Sequence, residues 1–385
     1  MKILVVIGTR PEAIKMAPLI STLRKTNAIS TEVCLTAQQR EMVDQTLAVF
    51  GIVADYDLNL MTKNQSLSSV TSKAIAKMET TIRCSKPDLV LVQGDTTTAF
   101  CGALAAFYSG VKVGHIEAGL RTGNRYSPYP EEVNRAMIGR IADYHFAPTR
   151  CSAQNLVDEG IDRKDVVVSG NTVVDSLLQM REINRATRYN PASLQVYTFS
   201  ERKTILVTGH RRENMGRPVE EICTAIKHLA LSRNDIQFVY PVHLNPNIQA
   251  PVNSILSTVE NVHLIPPLNY RDFVWLLDKA NLVLTDSGGI QEEAPSFGIP
   301  VLVMRDTTER PEGIESGNAV LVGHDKTMIT IAVNELLDNN DTYKGMAEKA
   351  NPYGDGNAAE RIVNYLMKLN SVELESINTL VTQTS

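Results

Sequence analysis

Three acids and a histidine in this 385-residue chain stand where proton transfer would need them. Asp95 lies in Gly94-Asp95-Thr96-Thr97-Thr98, directly after an apolar run, and Glu117 follows the next such run in His115-Ile116-Glu117-Ala118-Gly119. Glu131 opens a helical stretch behind Pro128 and Pro130, which force a loop. Taken singly, Asp95 could be only a helix cap and Glu131 only compensation for a helix dipole. Carboxylates gathered in one place do more, because like charges raise a pKa and so make an acid and a base from one residue type. His210 sits in Thr208-Gly209-His210-Arg211-Arg212-Glu213. A lone histidine there would be a structural cap, but the dense charge around it favours a group that reaches a phosphate or a reacting centre. His243, at the following strand end, is a further candidate.

Two segments could hold an anion. In Gly8-Thr9-Arg10-Pro11-Glu12, with Lys15 one turn later, two cations flank a helix start with a proline in its first turn. The Gly-x-Gly-x-x-Gly fingerprint of a nicotinamide site is missing there. The second segment, Thr285-Asp286-Ser287-Gly288-Gly289-Ile290-Gln291-Glu292-Glu293, breaks a strand into Ser287, Gly288 and Gly289 before a helix. Backbone amides can then approach a diphosphate. Glu293 could accept hydrogen bonds from a ribose diol, and Arg310 after the next strand supplies another cation.

These residues need strands to carry them. Short Val, Ile and Leu runs alternate with helical stretches, the pattern of parallel strands covered on both faces. Strands are expected at Lys2–Ile7, Glu32–Thr36, Asp88–Val92, Lys112–Ile116, Tyr144–Ala147 and Asp165–Val168. Between Arg185 and Arg202 the periodicity fades into a peripheral connection. A second series is expected at Thr204–Val207, Gln237–Pro241, Val262–Ile265, Leu282–Thr285 and Val301–Val303. The fold class is therefore α/β, two Rossmann-like doubly wound domains facing a cleft, with ligands at the carboxyl ends of the strands.

Composition narrows the partners. A formal charge of −5 argues against a nucleic-acid surface, which needs a basic stripe. No apolar stretch approaches the ~20 residues needed to span a bilayer. The first apolar run ends at Gly8-Thr9-Arg10 without a small-residue cleavage site, so it reads as a strand rather than a leader. Five scattered cysteines without a Cys-x-x-Cys pair suggest neither a disulfide framework nor a thiolate metal site. A cytoplasmic protein without a metal or cofactor is expected.

Six strings in order resemble the bacterial non-hydrolysing UDP-N-acetylglucosamine 2-epimerases: Gly8–Leu19, Gly94–Thr98, His115–Gly123, Val207–Asn214, Thr285–Glu312 and Asn351–Gly356. The resemblance covers nearly the whole chain. It implies a GT-B-like fold, with domains over 1–171 and 172–356, and a last helix over about 357–369 returning to the first. It implies a homodimer that interconverts UDP-GlcNAc and UDP-ManNAc, supplying ManNAc units for surface polysaccharide. The matching positions imply catalytic roles for Asp95, Glu117, Glu131 and His210. They imply UDP-sugar contacts from Arg10, Lys15, Ser287, Gly288, Gly289, Glu293 and Arg310, and a uracil contact from Phe273. Some relatives bind a second UDP-GlcNAc as activator, and Gln38 and Arg121 could serve such a site. Glu41 and Asn64 stand where some activated members carry glutamine and arginine.

For that substrate the residues support elimination. The C2 proton adjoins no carbonyl, but once the C1–O bond to UDP breaks, positive charge at C1 lets a carboxylate remove it. The product is 2-acetamidoglucal plus UDP, which re-adds after a proton reaches the opposite face. A GT-B glycosyltransferase would share the diphosphate site but needs an acceptor, and a hydrolysing epimerase differs in admitting water. A silent nucleotide-sugar sensor would not need the three acids.

Overall fold

A computed structural model describes residues 1–36, 40–60, 65–195, 197–199, 201–211 and 214–383, with the side chains of 40–42 and 372–383 outside the description. Gln38 and Asn64, and the side chain of Glu41, fall outside the described residues. Contacts divide the chain into two compact units, Met1–Ser176 with Gly354–Ser385, and Leu177–Tyr353.

The first unit holds a seven-stranded sheet. Its strands are β1 (Lys2–Ile7), β2 (Ser30–Leu35), β3 (Tyr56–Asp57), β4 (Leu89–Gln93), β5 (Lys112–Ile116), β6 (Tyr144–Ala147) and β7 (Val166–Val168). All pairings are parallel, in the order β3-β2-β1-β4-β5-β6-β7. The second unit holds β8 (Lys203–Thr208), β9 (Ile236–Pro241), β10 (Val262–Ile265), β11 (Leu282–Thr285), β12 (Val301–Val303) and β13 (Ala319–Leu321). They too are all parallel, in the order β10-β9-β8-β11-β12-β13. In each sheet the chain runs outward from its first strand, returns, and continues on the other side. The reversal leaves a switch point between β1 and β4, and another between β8 and β11, where such sheets bind ligands.

Continuous apolar runs are what a two-faced sheet requires. In β1, Ile3, Val5 and Ile7 pack under the helix Arg10–Lys25 and the C-terminal helix, through Met16, Ile20, Ile362 and Leu366. The alternate residues Leu4 and Val6 face the helices Leu67–Ser85 and Thr97–Tyr108, through Met78, Ile82, Ala99 and Ala103. In β4 the same alternation sends Leu89 and Leu91 to one core and Val90 and Val92 to the other. Full burial of each such side chain contributes about 1.5–3 kcal/mol over exposure. In the second unit, Ile205 and Val207 of β8 pack on Ile222, Ile226 and Leu229 of the helix Arg217–Ser232. The final helix is fastened at its start by Asp175, whose carboxylate accepts from the amides of Ala358 and Ala359 at 3.3 and 2.8 Å.

β3 and β13 lie outside the strands expected from the sequence. Two or three residues are too few to show a periodicity, and both strands lie at sheet edges with a neighbour on one side only. Asp88, expected to begin a strand, instead accepts the Lys2 amide through its side chain at 2.6 Å, which moves the start of β4 to Leu89. Asp165 likewise belongs to a 3-10 turn over Arg163–Asp165, leaving Val166 to open β7.

Candidate active site

In the first unit the chain turns at Gly8 from β1 into the helix Arg10–Lys25. A side chain at Gly8 would lie 2.5 Å from Thr98 Oγ1 and 2.7 Å from Thr36 Oγ1, so glycine is required. Glu12, buried, completes a capping box. Its Oε2 accepts from the amides of Gly8 and Thr9 at 2.7 and 2.6 Å, and its Oε1 from Thr96 Oγ1 at 2.6 Å. Burial nevertheless leaves the Glu12 carboxyl above its usual range, outweighing those hydrogen bonds. Thr96, not Asp95, caps the helix Thr97–Tyr108, accepting the Ala99 amide at 3.0 Å. The capping alternative for Asp95 therefore falls.

Lys15, one turn into its helix, forms an ion pair with Glu117, which also accepts from Gln93 Nε2 at 3.0 Å. Glu117 occupies a left-handed backbone conformation, φ 64°, which costs a non-glycine residue about 1–3 kcal/mol. Strain of this kind is tolerated where a side chain must be aimed. Asp95 forms an ion pair with Arg135, and Arg135 also lies 3.2 Å from Glu132. Glu131 is the first residue of the helix Glu131–Ile141, and its side chain has no hydrogen-bond or ion-pair partner among the described residues. Arg10 shares its helix start with Pro11.

In the second unit Asp286, at the end of β11, is fully buried and organises the loop after β8. It accepts from the amides of His210 and Arg211 at 3.0 and 2.9 Å and from Asn214 Nδ2 at 3.0 Å, with His210 Nδ1 at 3.3 Å. Burial pushes the His210 imidazole below its usual pKa. The Asp286 carboxylate opposes that shift, and Arg211, His243 and Arg305 reinforce it. His243 stacks loosely on His210, with ring centroids 6.1 Å apart.

Ser287, Gly288 and Gly289 begin the helix Gly288–Glu293. Two guanidinium groups flank this turn, for a side chain at Gly288 would meet Arg211 Nη2 and Arg310 Cζ, each at 3.7 Å. Each arginine is held by a carboxylate: Arg211 by Glu309 at 2.8 Å, Arg310 by Glu292. Glu309 also meets Arg305 at 2.5 Å. Burial alone would raise the Glu309 carboxyl, but Arg211, its own backbone amide and Arg305 bring it down to about 2. Glu293 is buried, and after burial itself its charge helps push the Tyr270 hydroxyl well up. That places Glu293 beside the helix Tyr270–Leu277, which carries the half-buried Phe273.

Several candidates are thus brought together: Lys15 with Glu117, His210 with His243, and Arg310 with Gly288. Arg121 stands apart, its guanidinium committed to both oxygens of Glu159 at 2.7 and 2.8 Å. The residues that hold the candidates in place, Glu12, Gln93, Arg135, Asp286, Glu292 and Glu309, carry no role in the sequence reading. Asp286 is within reach of such a reading as the residue directly after a strand; the others are chosen by the tertiary fold. Among the described residues no group of three His, Cys, Asp or Glu could hold a metal ion, and no helix is long and apolar enough to cross a membrane.

Two all-parallel doubly wound sheets, each with charged groups at its switch point, define an α/β protein of the GT-B-like class. A profile of the UDP-N-acetylglucosamine 2-epimerase family matches residues 21–367. UDP-N-acetylglucosamine 2-epimerase of Escherichia coli K12 is 52% identical over 377 residues, 97% of this chain and 100% of that protein. The crystal structure of UDP-GlcNAc 2-epimerase from Neisseria meningitidis bound to UDP-GlcNAc superimposes with a TM-score of 0.88 at 50% identity, covering 96% of this chain and 100% of that one. The Methanocaldococcus jannaschii UDP-GlcNAc 2-epimerase in complex with UDP-GlcNAc and UDP gives 0.77 at 33% identity, with coverages of 96% and 100%. The chain belongs to the UDP-N-acetylglucosamine 2-epimerase family.

Proposed function

We propose that the chain interconverts UDP-GlcNAc and UDP-ManNAc by eliminating UDP and adding it back across 2-acetamidoglucal. As a member of its family it is an isomerase, a UDP-N-acetylglucosamine 2-epimerase. The single observation that carries the proposed route is the pairing of Lys15 with Glu117 at one switch point, matched by Arg310 and Arg211 around Gly288 at the other.

In this reading Arg310, His210 and the Ser287–Gly289 backbone, with Arg10 and Lys15, stabilise the diphosphate as the C1–O bond breaks and its electron pair leaves with UDP. Phe273 and Glu293 take the uridine. A carboxylate among Asp95, Glu117 and Glu131 removes the C2 proton, giving the glycal. Another returns a proton to the opposite face of C2, and UDP attacks C1 again. The three acids come from different elements, so proton removal and proton return need not use one group.

Asp95→Asn, Glu117→Gln and Glu131→Gln are each expected to lower turnover on the order of 100-fold or more while UDP affinity changes little. Wild-type turnover in all three would remove them from the mechanism.

A homodimer in the cytoplasm completes the proposal, with the ManNAc product entering surface polysaccharide. The helices Thr97–Tyr108 and Glu131–Ile141 pack together and leave Phe107, Tyr108, Val133 and Met137 exposed, the last two lining an open groove of about 900 Å³. An apolar patch of this kind suits a second copy. Sedimentation at the mass of one chain would remove the dimer.

A further inference from the structure

Asp95 is tethered from two sides by residues to which the proposed chemistry gives no task. On one side stands the helix Glu131–Ile141. Arg135, buried, pairs with the Asp95 carboxylate, and the preceding Asn134 donates from Nδ2 to the Asp95 carbonyl at 2.9 Å. Arg135 is itself braced by Glu132 at 3.2 Å, and Glu132 accepts from the amides of Thr122 and Gly123, both at 3.0 Å. On the other side stands β5. The Gly94 amide donates to the Ile116 carbonyl at 2.9 Å, and His115 Nε2 lies 2.7 Å from the Gly94 carbonyl. Gly94 has a φ of 68°, so the turn into Asp95 is one that a side chain would strain.

Neither tether is what a strand core or a helix face would select. The His115 side chain is 1% exposed, and burial brings its imidazole down to about 3, so the ring is neutral at ordinary pH. A neutral ring against a carbonyl carries its proton on Nε2, which leaves Nδ1 bare, buried and without a hydrogen-bond partner among the described residues. The Nε of Arg135 is buried and unpartnered there as well. Each such group carries a desolvation cost, and a leucine or valine at either position would avoid it. What both side chains share is one neighbour, the Gly94–Asp95 turn.

We propose that His115 and Arg135 are positioning residues for Asp95, His115 fixing the backbone of the turn that presents it and Arg135 fixing the rotamer of its carboxylate. The proposal rests on the reading of Asp95 as a proton-transfer group. Misplacing such a group by about 1 Å is enough to cost on the order of 100-fold in rate.

The test is a set of double-mutant cycles. His115→Phe and Arg135→Met would be made alone and in the Asp95→Asn background, together with His115→Gln and Arg135→Lys, which keep a donor at each position. For each variant kcat and KM for UDP-GlcNAc, the dissociation constant of UDP and the thermal midpoint would be measured. The expected single-variant result is a fall in kcat of roughly 10- to 100-fold, with KM and UDP affinity within about threefold. His115→Gln and Arg135→Lys should recover part of it. In the Asp95→Asn background the same substitutions should cost no more than about twofold further, because residues acting through one group are not additive. If the losses multiply in that background, or if kcat does not fall in any variant, the positioning role is overturned. If Asp95→Asn alone turns over like wild type, the reading of Asp95 has failed instead. Should His115→Phe or Arg135→Met not fold, His115→Gln and Arg135→Lys still decide, since intermediate kcat at unchanged KM supports the role and wild-type kcat refutes it.

Discussion

Among the described residues no lysine or arginine side chain pairs with the buried Asp286, and its charge is met by backbone amides and an asparagine instead. It accepts from His210 and Arg211 through their amides and from Asn214 Nδ2, which also reaches the Met304 carbonyl. Removing a buried acceptor strands its donors, and stranded donors are more expensive than a lost bond. Asp286→Ala is therefore expected to destabilise the protein by about 3 kcal/mol or more, measured by urea unfolding, and to weaken UDP binding by loosening the His210 loop. An unchanged unfolding midpoint would show that the loop is held by other means. At this scale the sequence exposes candidates better than it exposes their supports. Asp95, Glu117 and His210 can be picked out because strand ends are readable. Arg135 cannot be matched to Asp95, because the two meet across 40 residues. The left-handed backbone of Glu117 is equally invisible in a sequence, since glutamate rarely adopts it.

Elements set which charges meet. The segment after β12 brings Arg305, Glu309 and Arg310 to the start of the helix Gly288–Glu293, and Tyr353 holds it there. The Tyr353 hydroxyl donates to the Arg310 carbonyl at 3.1 Å and accepts the Gly313 amide at 2.9 Å. Asn351 reaches the Glu292 carbonyl at 2.8 Å, so part of the Asn351–Gly356 string serves to buttress Arg310 rather than to touch a ligand. Glu309 makes this arrangement sensitive to acid. Its folded pKa of about 2 lies below the ordinary 4.5, because Arg211 and Arg305 favour the carboxylate over the penalty of burial. Its ionised form therefore contributes stability in full above about pH 4.5, and the contribution is lost as pH falls toward 2. Thermal midpoints of wild type and Glu309→Gln, measured from about pH 6 down to about pH 3, should differ most at the upper end and converge at the lower. A constant gap would mean that Glu309 does not act through its charge.

For the molecule as a whole, alternating apolar runs are sufficient to reveal two parallel α/β sheets, because a strand buried on both faces leaves a continuous apolar signature. β3 and β13 leave none, being too short and lying at the edges. The order of strands is the part with functional consequence, since it puts the Gly8–Lys15 and Asp95 segments side by side at one switch point and the His210 and Ser287–Gly289 segments at the other. The proposed elimination draws on all four segments, together with Glu117, Glu131 and Arg310. The most direct test of that elimination is incubation of the protein with UDP-GlcNAc in D2O, following the sugar H1 and H2 signals by proton NMR. Elimination and re-addition predict UDP-ManNAc carrying deuterium at C2, because the proton that returns comes from a group in exchange with solvent. UDP-ManNAc that retains protium at C2 would contradict the account.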